Sequence, residues 1–346
     1  MPEIAKIKRR LIKYAWLGRW LVLAAGLALV IGLVRGLAPK AKIGLKLINP
    51  TINRLQSFRG RTNILLLGVG GEGHEAGDLT DSIILLSADL TSGDVVLVSL
   101  PRDIWVVSLA AKLNTAYHYG ETKQEGGGLI LAKAAVGEVM NQPVHYGAVV
   151  DFSGFERAID VLGGIEVEVP RGFADRQYPI PGKEDAEPEA ARYETVEFKS
   201  GRQTFDGVTA LKYVRSRHAD GEEGTDYSRA QRQQRVILAF RDKLLKAKTL
   251  LNFGKIKQLK QIAADSVETD IKPEVYADMI KLGLKLDREQ LRTGVLDQGS
   301  QSEDIPALLY NPPVSRYGQW VLLPAGDDWN VVFQYTLRPM GAAARR

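Results

Sequence analysis

Hydrophobic and polar positions follow three different rhythms along this chain. The stretch Trp20 to Val34 (WLVLAAGLALVIGLV) holds fifteen residues without a charge, and extending it back to Tyr14 gives 21 residues interrupted only by Arg19. Roughly 20 such residues cross a bilayer as a helix, and a long arginine near one end can reach the headgroups. From residue 62 the rhythm shortens. The runs NILLLG (63–68), SIILLS (82–87), DVVLVSL (94–100), VVDF (149–152) and IEVEV (165–169) predict buried strands. Helical spacing marks LILAKAAVGEVM (129–140), apolar on most faces, and SRAQRQQRVILAFRDKLLKA (228–247), with Ser228 as its expected N-cap. Further helices are expected at 255–264 and 273–286, and strand-like pieces at 292–296, 319–323 and 331–336. The segment 171–200, rich in Pro, Glu, Asp and Arg, reads as an exposed excursion with a hairpin rather than as core.

Strands alternating with helices make the fold class α/β. The pattern divides the chain into a basic tail (1–13), a transmembrane anchor (14–35), a juxtamembrane stalk (36–58) and one large domain (59–340). Charge sharpens this picture. The net charge is +5, but residues 1–35 alone carry +6, so the remainder sums to about −1. Basicity confined to one end argues against nucleic acid as a partner and for a membrane address. A core helix would not be uncharged on every face behind KIKRRLIK, and RGLAPKAK after the run offers no small-residue cleavage site. The basic cluster precedes the span, which places the N-terminus in the cytoplasm and the domain outside. No cysteine is present, so neither disulfides nor thiolate metal sites exist.

Four groups of residues carry candidate chemistry. Gly68, Gly70 and Gly73 spell a dinucleotide-type G-x-G-x-x-G, with Asp89 about twenty residues on. Only HEAGDLTD separates the glycines from the next strand, too little for the helix that motif requires. The glycines are read instead as backbone that turns tightly or approaches another group closely. In ALKYVRSR, strand periodicity puts Arg215 and Arg217 on one face. On the following helix Arg229, Arg232 and Gln233 share a face that continues through Val236, Ile237 and Phe240. Arginines beside a helix N-terminus make a phosphate site, and the apolar continuation suits a hydrocarbon tail. The competing reading is a solvated charged face, given the acids at 220, 222, 223 and 226. Asp81, and Arg102 and Asp103 after Pro101, stand at strand ends, where α/β sheets carry ligand crevices. A carboxylate there either holds Mg²⁺ (or Mn²⁺) with substrate phosphates or serves as a cap or ion-pair partner. The four histidines lack metal spacing, and no G-x-S-x-G nucleophile elbow occurs.

NILLLG, LTDSIILLS, VSLPRDIWV, KLNTAYHYG, HYGAVVDFSGFERAIDVLGGIEVEV, GRQTFDGVTALKYVRSRH and DYSRAQRQQRVI resemble, in order and spacing, the LytR–CpsA–Psr family across residues 60–245. The resemblance implies a three-layer α/β/α sandwich with a mixed central sheet, outside the cell behind one N-terminal transmembrane helix. It implies transfer of a phospho-glycopolymer, such as teichoic acid or capsule, from a polyprenyl-pyrophosphate carrier to peptidoglycan. It makes Asp81 the magnesium aspartate, and Arg102, Arg215, Arg217, Arg229 and Arg232 the pyrophosphate-binding arginines, with Gln233 beside them, Asp226 before the last pair and Asp103 in the same matched block. Two positions depart from the family pattern. Gly70 stands where an aspartate is usual, and Leu79 where an arginine is usual; Glu72, His74 or Asp78 are the substitutes at hand for the metal.

The expected reaction is attack of a wall-sugar hydroxyl on the glycan-bearing phosphorus, with polyprenyl phosphate leaving. Arg102, Arg217 and the other arginines neutralise charge, and Asp81 or Asp103 takes the proton. Leu131 and Val136 on the first helix, and Val236, Ile237 and Phe240 on the second, are expected to line the prenyl pocket, with Phe152 and Phe155 as weaker candidates. The rivals are a pyrophosphohydrolase with water as acceptor and a non-catalytic lipid- or wall-binding module.

Overall fold

The computed structural model describes residues 52, 54–70, 78–180, 182, 183, 185–285, 291–299 and 307–337. The expected anchor 14–35, most of the stalk, and the candidate ligands Glu72 and His74 lie outside these residues. Among the described residues no helix is long and apolar enough to cross a membrane.

The first three apolar runs form an antiparallel meander: β1 (Arg61–Val69), β2 (Thr80–Asp89) and β3 (Val95–Ser99). The β1–β2 register runs from Arg61 opposite Asp89 to Gly68 opposite Ser82. Three more strands complete a six-stranded mixed sheet: β4 (Tyr146–Asp151), parallel to β1; β9 (Val267–Thr269), antiparallel to β4; and β10 (Leu291–Val295), parallel to β3.

Alternation along β1 explains how the sheet is covered on both faces. Leu65 and Leu67 point into a core with helix α2 (Gly128–Met140), whose Ala132, Val136 and Val139 are buried there. Ile64 points the other way, into a core with Met279 and Leu282 of α7 (Tyr276–Lys285). Helix α1 (Ala116–Lys123) packs on α2. The layers thus match the α/β/α expectation.

A second body of core sits beside the sheet. It comprises β5 (Ile165–Val169) paired with β8 (Gly201–Phe205), the hairpin β6 (Phe173–Pro179) and β7 (Tyr193–Phe198), and helices α3 (Phe152–Leu162), α4 (Gly207–Arg215) and α5 (Asp226–Leu244). Phe173, Phe198, Phe205 and Tyr213 meet there with ring centroids 5.0–5.9 Å apart, an aromatic cluster worth more than its buried area alone. Helix α6 (Phe253–Ser266) lies along α3.

Several expectations are corrected. Segment 171–200 does carry the hairpin, but Phe173, Tyr178, Val196 and Phe198 are buried, so it contributes core rather than an excursion. ALKYVRSR is helix through Arg215, not strand: Asp206 caps it by accepting from Thr209 N–H (2.8 Å), and Ala210, Tyr213 and Val214 repeat at helical spacing into the aromatic core. Residues 331–336 lie in α8 (Asn330–Leu337), with Val332 buried beneath α2, and not in a strand. The 228–247 helix starts earlier, with the Thr225 hydroxyl accepting from Ser228 N–H (3.2 Å). Leu55, placed in the stalk by sequence, is buried against the α7 face, and Gln56 N–H donates to Tyr146 Oη (2.9 Å).

Candidate active site

Because β2 runs antiparallel to β1 and β3, its first residues stand beside the carboxyl ends of β1, β3 and β4. Asp81 is the second residue of β2 and projects at this edge, where crevices of α/β sheets collect ligands. Thr80 beneath it is pinned by donating its hydroxyl to the Asn114 carbonyl (3.1 Å). After β3 the chain turns at Pro101, and Arg102 is held by its own backbone: its carbonyl accepts from Asn114 N–H (3.1 Å), while the Asp103 carbonyl accepts from Leu322 N–H (3.0 Å).

Two guanidinium groups from distant parts of the chain meet on one oxygen. Arg102 Nη1 donates to Asp81 Oδ1 at 2.9 Å, and Arg217 Nη2 donates to the same oxygen at 3.1 Å. All three side chains are about one-third exposed, so the cluster is accessible from solvent. Burial alone would push the Asp81 carboxyl up, but the Arg217, Arg102 and Arg215 charges outweigh it and hold it below the ordinary carboxylate range. Asp103 lies against the same arginine (Nε to Oδ2, 3.5 Å) and accepts from Lys112 Nζ at 2.7 Å. Among the described residues, Arg102, Arg215, Arg217 and Lys112 gather around two carboxylates, Asp81 and Asp103, a surplus of positive charge suited to an anion with several oxygens.

Arg215 ends α4 and lies 5.9 Å from the Phe152 ring centre. That ring in turn needs Gly68: a Cβ there would lie 2.6 Å from Phe152 Cε1. The sequence reading of Gly68 as a close-approach residue therefore holds, the approaching group being an aromatic platform under Arg215. Gln234 on α5 donates to Ser99 Oγ (2.8 Å) and to the Gly294 carbonyl (3.0 Å), fastening α5 to the ends of β3 and β10. Arg229 and Gln233, one turn apart on α5, are half-buried on that fastened segment.

Arg232 is placed elsewhere. Its side chain is 0% exposed and each of its three nitrogens donates to a protein acceptor: Nε to the Tyr213 carbonyl (3.0 Å), Nη2 to the Ser216 carbonyl (2.6 Å), and Nη1 to the Glu223 carbonyl (2.7 Å) and Glu223 Oε2 (3.0 Å). It also stacks 4.7 Å from the centre of Phe173. It braces the segment carrying Arg215 and Arg217 and offers nothing to a ligand. Helical spacing puts Arg232 beside Arg229 and Gln233, but α4 and the turn after it cover the Arg232 side chain.

The expected lipid-pocket residues are not brought together. Val136 packs in the first core with the sheet, and Leu131 lies half-buried on the same helix. Val236 packs in the second core, and Phe240 is engaged by Phe155 at 5.3 Å between centroids; Ile237 is half-buried beside them. Two amphipathic helices face two different cores, so apolar stripes that look like one lining are separate packing surfaces. A cleft of about 450 Å³ opens instead at the carboxyl ends of β1 and β4, lined by Val69, Tyr117, Val149, Asp151, Ser266 and Glu268 among others.

Asp175 carries no signal in the sequence. Its carboxylate is fully buried and accepts from Arg217 N–H (3.0 Å) and His218 N–H (3.2 Å) through Oδ2, and from Gln177 N–H (3.0 Å) through Oδ1. It thereby fixes the backbone from which Arg217 reaches Asp81. Lys112, within the KLNTAYHYG block, likewise has no local feature that marks it.

For a divalent cation, Asp81 is the candidate ligand among the described residues. Its Oδ1 is shared by both arginines, while Oδ2 accepts no hydrogen bond among the described residues. Asn114 Oδ1, on the segment that pins Thr80, is buried without a partner. No group of three His, Asp or Glu side chains gathers among the described residues, and Asp78 is engaged by His118 Nδ1 (2.5 Å). This donor set fits Mg²⁺, which takes one or two carboxylates and completes its shell with water and substrate phosphate oxygens. It does not fit a metal caged by protein alone.

The sequence profile of the LytR_cpsA_psr family matches residues 41–301. Among curated proteins, the chain is 30% identical over 223 residues to a polyisoprenyl-teichoic acid–peptidoglycan teichoic acid transferase, TagU, of Oceanobacillus iheyensis, covering 64% of this chain and 62% of that protein. It is 27% identical over 251 residues to TagU of Enterococcus faecalis, covering 68% and 72%. The crystal structure of Bacillus subtilis TagV superposes with a TM-score of 0.54 at 22% identity, over 81% of this chain and 96% of that one. This likeness establishes the shared mixed α/β fold.

Proposed function

Because this chain belongs to the LytR–CpsA–Psr family, we propose that it is a transferase that moves a glycopolymer from a polyprenyl-pyrophosphate carrier to a peptidoglycan sugar hydroxyl, outside the cell and anchored to its membrane by residues 14–35. The convergence of Arg102 and Arg217 on one oxygen of Asp81 carries this reading. A pyrophosphate presents several anionic oxygens, and preorganised guanidinium groups stabilise the charge that builds on them as the bond to the leaving phosphate lengthens.

In the proposed step the acceptor oxygen forms a bond to the glycan-bearing phosphorus. The bond from that phosphorus to the bridging oxygen breaks, and polyprenyl phosphate departs with the electron pair. Arg102, Arg215 and Arg217 hold the non-bridging and leaving oxygens, with Arg229 and Gln233 facing the same anion from α5. A carboxyl held below its usual range is a weak proton acceptor, so Asp81 serves as counter-charge and as the ligand for Mg²⁺ (or Mn²⁺). When bound, that ion supplies further neutralisation of the phosphate oxygens. The hydroxyl proton passes to Asp103, the other carboxylate of the cluster.

The test supplies the protein with lipid-linked donor, with and without peptidoglycan oligomers. Acceptor-dependent appearance of glycan on peptidoglycan supports the proposal. Phosphate release that ignores the acceptor and is the sole product makes the protein a pyrophosphohydrolase, and no turnover leaves a binding module.

A further inference from the structure

The turn into α6 carries a feature that neither core nor site uses. Leu251 is 78% exposed and Phe253 is 86% exposed, the latter the highest value for any large apolar residue described. Both are held firmly. Asn252 caps α6 by accepting from Lys255 N–H (3.0 Å), and α6 lies along α3, with Leu259 buried between them. The surrounding segment 241–260 contains seven basic residues and one acid, a net +6, in a chain whose residues 36–346 total about −1. Lys243, Lys246 and Lys255 engage Gly163, Glu166 and Leu162. Lys248 and Lys257 are exposed, Lys260 is half-buried, and none of these three makes an ion pair or hydrogen bond among the described residues.

A rigid apolar tip ringed by lysines has the composition of a surface that enters the headgroup region of an anionic bilayer. Water gives such side chains no return for their exposure, whereas lipid takes up the Phe253 ring while the flanking ammonium groups stay with the phosphates. We propose that the α6 tip, Leu251 and Phe253 with Lys248, Lys257 and Lys260, is a second membrane contact that seats the domain against an anionic lipid surface. The inference rests on the proposed lipid-linked donor only in supplying a nearby bilayer.

The test uses the cysteine-free full chain, reconstituted in vesicles of phosphatidylglycerol with phosphatidylcholine or of phosphatidylcholine alone, with no donor and no acceptor present. An environment-sensitive fluorophore is attached at Phe253→Cys and, as reference, at the exposed Val314→Cys. The expected result is a blue shift and quenching by shallow spin-labelled lipid at 253 but not at 314, strongest in anionic vesicles. In K248E/K257E/K260E the bound fraction of the tip falls at least ~10-fold, since each lysine near an anionic surface contributes roughly fivefold. Glycan transfer measured in detergent stays unchanged in that variant, so failure of this contact and failure of the transferase reading are separate outcomes. A label at 253 as wet as that at 314 overturns the proposal, and so does a blue shift without lipid quenching, which would mark contact between two copies of the chain.

Discussion

Replacing Arg232 separates the frame of the site from its working surface. In Arg232→Met the aliphatic stem is preserved, but the Tyr213, Ser216 and Glu223 carbonyls lose their donors and Glu223 its counter-charge. A buried acceptor left unpaired costs about 1–3 kcal/mol, and removing one partner of a buried ion pair about 3–5 kcal/mol. Glu223 is 13% exposed and regains some hydration, which places the whole loss at about 3–5 kcal/mol. At roughly 2–4 °C per kcal/mol for domains of this order, Tm falls by about 6–20 °C. Arg217→Ala removes a partly exposed pair, worth at most about 1 kcal/mol, and leaves Tm within about 4 °C while turnover drops at least ~100-fold. Calorimetric melting of both variants, paired with transfer assays well below either transition, reads the difference. Wild-type Tm with abolished turnover in Arg232→Met would return that guanidinium to the phosphate site and refute the assignment.

Three further outcomes follow from the same geometry. Asp81→Asn removes the ionised carboxylate and its free oxygen; turnover is expected to fall at least ~100-fold and to lose its response to added Mg²⁺, and a retained Mg²⁺ optimum would remove Asp81 from the metal. Asp175→Asn turns an acceptor of the Arg217 and His218 N–H groups into a partial donor, lowering transfer about 10-fold or more; in an Arg217→Ala background it should cost little extra activity, because both act through one side chain. Burial, reinforced by the Lys133 charge, holds His145 below its ordinary value of 6.5, and its Nδ1 accepts Asn63 N–H at 2.9 Å, so the fold keeps this ring neutral. The unfolded chain therefore takes up the proton first: the stabilisation is complete above about pH 6.5 and is lost as pH falls through the lower folded value. Denaturant midpoints between about pH 8 and about pH 5 should show that decline in the natural chain and less of it in His145→Gln.

Local pattern revealed much of this molecule. The β1–β3 runs, β4, β5, α2 and α5 all stand where hydrophobic period placed them, because a sheet buried on both faces needs nearly continuous apolar strands. Asp81 and Arg102 are legible as charges at strand ends, and Arg217 as one of a cluster of arginines, and the three do meet. What failed required long-range information. ALKYVRSR satisfies both a strand and a helix period over eight residues, and only the Asp206 cap and the aromatic core decide between them. Arg229 and Arg232 differ in nothing local, yet α4 covers one of them. A buried Asp175 among exposed acids carries no signal of its burial, and two greasy helix faces do not announce that they pack in different cores.

The proposed anion site is assembled from the loop after β3, the end of α4 and the turn beyond it. Titration of the full chain with a soluble short-chain prenyl diphosphate in the presence of Mg²⁺, followed by calorimetry, tests it directly. Arg102→Ala, Arg215→Ala and Arg217→Ala should each weaken binding at least ~10-fold, as expected for a lost charge-assisted hydrogen bond. Three variants that bind as tightly as the unaltered chain would mean the diphosphate is held somewhere else.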